Sequence, residues 1–97
     1  MRATIEQAIN NRQIIEFNYS GLQRTAEPHV LGISNGVLQL LGYQIAGGSN
    51  TGVVPDWRRF DLSGISSLTT TNNRFPGPRP CPSGKHSAWD HTIAIVK

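Results

Sequence analysis

The dipeptide Asn35-Gly36 constrains this chain more than any other feature. Both positions tolerate positive φ, which the centre of a two-residue hairpin turn demands, so the flanking segments are expected to pair antiparallel. Val37-Leu38-Gln39-Leu40-Leu41-Gly42-Tyr43-Gln44-Ile45 follows the turn and is apolar enough for the central strand of a sheet. Gln23 to Ile33 precedes it and reads as a strand bent or interrupted at Pro28, which cannot donate a ladder hydrogen bond.

Outward from this hairpin the pattern stays at period two. Ile15, Phe17 and Tyr19 alternate with Glu16 and Asn18, a half-buried strand closed by a turn at Ser20-Gly21. Before it the period is helical: Ile5, Ala8 and Ile9 form one stripe, and Thr4-Ile5-Glu6-Gln7 has the form of a capping box with Thr4 as N-cap. The helix should reach about Asn11. Ala46 to Asp56 reads as a glycine-rich loop, Trp57 to Leu62 as a fourth strand, and Ile65 to about Thr71 as a fifth after a turn at Ser63-Gly64. From Asn72 to Lys85 prolines stand at 76, 78, 80 and 82, which predicts an extended strap rather than a paired strand. Trp89 to Val96 regains apolar character and is expected to return as a last strand on the same domain. One helix with short antiparallel strands predicts a mainly β domain, built as a small barrel of about five strands or a strongly curled sheet, with helix and sheet over 1–72 and the strap and last strand over 73–97.

At 97 residues the chain has room for one domain with a modest core, so function is expected on the surface or in a shallow groove. No apolar run approaches a membrane-spanning length, and Glu6 interrupts the N-terminal hydrophobicity, so neither a span nor a secretory signal is read here. A single cysteine, Cys81, excludes an internal disulfide framework and fits a reducing cytoplasm. The net charge of +3 is carried mostly by arginines, at 2, 12, 24, 58, 59, 74 and 79, whose planar forks suit phosphate and flat rings.

Trp57-Arg58-Arg59-Phe60 interleaves cations with rings, the chemistry of a strand-borne nucleic-acid surface. Alternation puts Arg58 with Phe60 on one face and Trp57 with Arg59 on the other; Phe60 is expected in the core and Arg58 at the sheet's mouth. Arg24 and His29 offer a phosphate-binding cation beside a hydrogen-bonding ring, set against a plain Arg24–Glu27 surface pair and a packed histidine. Cys81, His86 and His91, with Asp90 adjacent, resemble a metal half-site without its second cysteine, and no metal is expected. Neither a nucleophile elbow, a phosphate loop nor a paired-carboxylate pattern is present, and the chain reads as a non-enzyme with no cofactor.

The order of these pieces resembles the WYL domain family. It rests on the helix ending Ala8-Ile9, then Ile15-Glu16-Phe17-Asn18-Tyr19, Arg24, Glu27-Pro28-His29, the strand ending Leu41-Gly42-Tyr43, then Arg58-Arg59-Phe60, Leu62 and Ile65. The resemblance implies an Sm/SH3-like β-barrel and a ligand-sensing role in bacterial transcription regulation. The implied ligand is a nucleotide or single-stranded nucleic acid, with Arg24, His29 and Arg58 at the family's polar and basic positions and Phe60 at its aromatic one; Arg59 and Tyr43 complete the residues expected to hold it. Where the family writes Trp-Tyr-Leu this chain has Leu38-Gln39-Leu40, and Asp61 and Gly64 replace later arginines. No helix-turn-helix fits ahead of the domain, so action through a DNA-binding partner or as a homodimer is expected. A structural or oligomerisation module with a degenerate ligand site is the alternative. Arg79 lies outside the resemblance and is expected to be a bystander to binding.

Overall fold

The computed structural model describes residues 1–49, 54–80 and 89–97. Helix α1 (Arg2–Asn11) turns Ile5, Ala8 and Ile9 inward, the stripe its period dictates. It starts earlier than the capping box requires. Ile5 N–H already donates to the Met1 carbonyl at 3.1 Å, Met1 is the N-cap, and no side chain caps the helix, so Thr4 sits exposed within it. The helix ends at Arg12 in the left-handed region (φ 56, ψ 44), whose N–H reaches the Ala8 and Ile9 carbonyls.

Five strands follow along the chain: β1 (Gln13–Tyr19), β2 (Leu22–Ser34), β3 (Val37–Gly47), β4 (Asp56–Asp61) and β5 (Ser66–Arg74). A sixth, β6 (His91–Ile95), comes after the proline-rich stretch. The sheet order is β4-β3-β2-β1-β5, antiparallel throughout, with β6 added to β2. Both expected hairpins form. Ser20 (φ 52) and Gly21 (φ 76) link Tyr19 to its partner Leu22, and Asn35 (φ 51) and Gly36 (φ 79) link Ser34 to Val37. The central strand is β2 and not the more apolar β3. It is long enough to serve two neighbours on one side: its first half pairs with β1 and its second, Val30 to Ile33, with β6. The register slips between Pro28 and Val30, where the missing proline N–H breaks the ladder and the strand bends.

A closed barrel does not form. Among the described residues β4 and β5 end the strand path without pairing to each other. They are nonetheless joined by the single 3-10 turn Leu62–Gly64, and the Asp61 N–H donates to the Tyr19 hydroxyl at 3.2 Å, so the sheet curls until its two outer strands meet at one corner. The prediction of a mainly β domain with one N-terminal helix and a curled antiparallel sheet therefore holds at that coarser level. Strand β5 continues two residues past the predicted boundary at 72.

The curl wraps a core of Ile5, Ile9, Ile15, Phe17, Leu31, Leu40 and Phe60, extended by Leu62, Ile65, Phe75 and Val96. Phe17, Tyr19 and Phe60 meet edge to face, with Phe60 4.9 Å from Phe17 and 5.0 Å from Tyr19. Each large side chain buried here stabilises the fold by about 1.5–3 kcal/mol. The opposite face carries a smaller cluster of Val30, Leu41 and Trp57, with Tyr43 and Trp89 packed on it. Arg79, whose guanidinium lies over Tyr43, Pro80, whose carbonyl accepts from the Trp57 indole, and Trp89 cover that face. Trp89 lies so close to Gly32 that a Cβ there would stand 2.7 Å from its ring. No helix among the described residues is long and apolar enough to cross a membrane.

Candidate functional site

Three of the arginines singled out in the sequence converge. Arg24, Arg58 and Arg59 line one cavity of about 290 Å³ together with Tyr19, Ser20 and Phe60. Register brings this about: Arg24 pairs with Phe17 on β1 and Gly47 on β3, while Arg58 on β4 stands opposite Gly42 of β3. The curl then carries β4 over the turn between β1 and β2. Phe60 is a buried floor, as expected, and the half-buried Tyr19 ring forms a wall.

Arg24 is the unusual member. Only 4% of it is exposed, yet no carboxylate pairs with it among the described residues. Nη1 donates to Gln44 Oε1 at 3.3 Å and Nη2 to the Tyr19 carbonyl at 3.1 Å, whereas Nε is buried with no hydrogen-bond partner. The guanidinium carbon lies 5.7 Å from the centre of the Tyr19 ring and 5.8 Å from that of Phe60. Burial pulls the Arg24 pKa below its ordinary value, Arg58 pulls the same way by like-charge repulsion, and Tyr19 opposes them. The side chain stays charged at any working pH, so the fold bears the cost of a buried cation that, among the described residues, has neutral partners and no opposite charge.

Sequence reasoning missed Gln44, which is fully buried and organises this corner. Besides accepting from Arg24, its amide donates to the Ala46 carbonyl at 3.1 Å and the Gly48 carbonyl at 2.8 Å, pinning the start of the glycine-rich loop. The signal was available: Leu40, Gly42 and Gln44 share one parity on β3, so the amide had to point inward with the leucine.

His29 and Tyr43 are placed elsewhere. His29 is fully buried and does not line the cavity. Its Nε2 accepts the Arg79 N–H at 3.3 Å, so Nδ1 carries the proton and donates to the Glu27 carbonyl at 2.8 Å. Its ring meets Trp57 edge to face at 4.7 Å and stacks on Phe75 at 5.2 Å. Tyr43 lies 5.3 Å from Trp57 with the Arg79 guanidinium 4.7 Å above its ring. Arg59 lines the cavity but also stacks on Trp89 at 3.9 Å and donates to Gln39 Oε1 at 3.3 Å.

The Arg24–Glu27 surface pair, the alternative to a phosphate-binding Arg24, does not form; Glu27 pairs with Arg79 instead. Nε and Nη2 of Arg79 grip its two carboxylate oxygens at 2.5 and 2.8 Å, and the Glu27 side chain is 4% exposed. That hydrogen bond raises the Arg79 pKa, against a smaller opposing effect of burial. Arg79 thus fastens the proline-rich stretch to the sheet. The remaining acids near the arginines have their own partners: Asp61 accepts from Gln39 at 2.8 Å, and Asp56 caps the Trp57 N–H at 2.8 Å.

Cys81 and His86, named for a metal half-site, lie outside the described residues, and His91 is exposed on β6. No group of three metal-binding side chains occurs among the described residues. Comparison of the chain with protein-family models, with characterised proteins and with solved structures finds no match in any of the three.

Proposed function

We propose that this chain is a WYL-like ligand-sensing module, an open relative of the Sm/SH3-like barrel. It captures a nucleotide or short single-stranded nucleic acid and acts on a partner or oligomer in cytoplasmic transcription regulation, without catalysis. The observation that carries the reading is the cavity of Arg24, Arg58 and Arg59, in which Arg24 is buried, charged and, among the described residues, without a carboxylate. A phosphate entering there exchanges water for two or three guanidinium groups and relieves the repulsion between Arg24 and Arg58. Tyr19 supplies a ring beside them for a base. His29 and Tyr43 drop out of the ligand set in this reading and hold the proline-rich stretch instead.

The experiment is a binding titration with single-stranded DNA, RNA and mononucleotides at two salt concentrations. Arg58→Ala is expected to weaken oligonucleotide binding and to reduce the salt slope by about 0.7 for the lost phosphate contact, with the melting temperature nearly unchanged. Equal weakening by Arg2→Ala, on the exposed helix, would mean diffuse attraction to a cationic surface and no site.

One observation favours a second reading. Arg24 already bonds Gln44 and the Tyr19 carbonyl, which ties the glycine-rich loop to the β1–β2 hairpin. In a structural or oligomerisation module that is its whole role. Absence of any anion effect on Arg24 and Arg58 in the same titration supports this alternative.

A further inference from the structure

A second cavity, of about 410 Å³, is walled by Asn10, Asn11 and Arg12 at the end of α1, by Arg74 and Phe75 at the end of β5, and by Lys97. It is separate from the arginine cavity. Strand β1 starts beside Arg12 and ends at Tyr19, so the two concavities lie roughly 20 Å apart along it.

Three cations from remote stretches of chain meet in this place, and no acidic side chain lines it. The side chains of Arg74 and Lys97 make no hydrogen bond or ion pair among the described residues. Arg12 is held in position: its Nε donates to the Lys97 main-chain oxygen at 2.7 Å, which fixes the guanidinium plane and leaves both terminal nitrogens as a fork. It occupies a left-handed position (φ 56) where glycine or asparagine would be less strained. The negative end of the α1 dipole accounts for one cation here, but not for three. Even with a terminal carboxylate at Lys97 set against them, the side chains leave positive charge in surplus. The buried Phe75 forms a rigid floor, and the amide of Asn10 adds a neutral donor at the rim, while that of Asn11 already donates to Gln13 Oε1 at 3.4 Å.

We propose that this cavity is a second anion site, built for a dianionic phosphate group. A carboxylate or a single phosphodiester would neutralise one of the cations and leave the others opposed; a phosphate monoester or free phosphate matches both the charge and the fork. The two sources differ in what else reaches the cavity, a bare ion or the phosphorylated end of a longer molecule.

The test is an amide-resolved NMR titration of the full chain. Its probes are inorganic phosphate, a 5′-phosphorylated tetranucleotide and the same tetranucleotide without the phosphate, with sodium chloride at matched ionic strength as control. Inorganic phosphate is expected to give saturating shifts at Asn10, Asn11, Arg74 and Phe75 that chloride does not reproduce. Arg74→Gln with Lys97→Gln, both at exposed positions, is expected to weaken those shifts about tenfold or more without moving the melting temperature. Arg58→Ala should leave them unchanged, so this site can stand or fall independently of the first. Tighter binding by the phosphorylated tetranucleotide than by phosphate identifies an end-recognising site, and equal binding a site for the free ion. Shifts matched by chloride, or untouched by the double substitution, overturn the proposal.

Discussion

The two faces of the sheet are both covered, but by different physics. The inner face is sealed by alternation: Phe17, Leu31, Leu40 and Phe60 project inward from strands and meet the Ile5–Ile9 stripe of α1. Among the described residues the outer face offers the smaller cluster of Val30, Leu41 and Trp57 with Tyr43 and Trp89 packed on it, and its cover is held largely by polar clasps. Arg79 grips Glu27, the Arg79 N–H meets His29, the Trp57 indole donates to the Pro80 carbonyl at 3.2 Å, and Asp90 accepts the Asn35 N–H at 2.7 Å. Non-directional burial specifies the first face, and directional bonds between residues 23 to 55 positions apart specify the second. The inner face should therefore answer to lost volume and the outer face to lost partners.

The largest effect belongs to the inner face. Phe60→Ala removes the ring that Phe17 and Tyr19 share and leaves a cavity under the arginine site, at about 3–5 kcal/mol. Urea denaturation should show a severely destabilised or unfolded protein; a loss below 1 kcal/mol would mean that the curl can collapse around the gap.

Arg79→Ala tests the outer face at intermediate size. It strands the Glu27 carboxylate in a buried position, and the expected cost is about 1–3 kcal/mol, toward the lower end because the Arg79 side chain is partly wet. Glu27→Gln added to it should recover part of that loss, since a neutral amide is cheaper to bury than a lone charge. If the double variant is as damaged as the single one, packing and not the clasp holds the cover in place.

What the sequence revealed follows the same division. Periodicity located α1, β1 and the inward ring of Phe60, and the two turn dipeptides located both hairpins, because these depend on neighbours in sequence. Arg58 beside Arg24 was anticipated through family resemblance, and their meeting needed the curl to be seen. The outer cover was illegible in detail. Nothing local in Pro78-Arg79-Pro80 says that its arginine will claim Glu27, so Arg24 stood as the nearer partner and His29 as a ligand residue. The strand register that decides such contacts is set by the bulge at Pro28, whose presence was readable but whose offset was not.

The smallest effect corrects the helix start. Because Thr4 lies inside α1 and caps nothing, Thr4→Ala should change stability by no more than about 0.5 kcal/mol in thermal denaturation. A loss of 1 kcal/mol or more would restore the capping box and shorten the helix.

The sheet's lack of closure carries a hazard that β5 is fitted to meet. An outer strand with unpaired amides is a template on which another chain can grow. Here that strand is Ser66-Ser67-Leu68-Thr69-Thr70-Thr71-Asn72-Asn73-Arg74, with little apolar surface for an intruder to bury. Its ladder with β1 shifts register twice, and Ser67 adopts φ 52, so the hydrogen-bonding groups along it are not evenly spaced. A second copy would find no straight stretch to copy. The irregularity that makes β5 an untidy partner for β1 is therefore also a guard against aggregation, installed where the curl stops short of sealing itself.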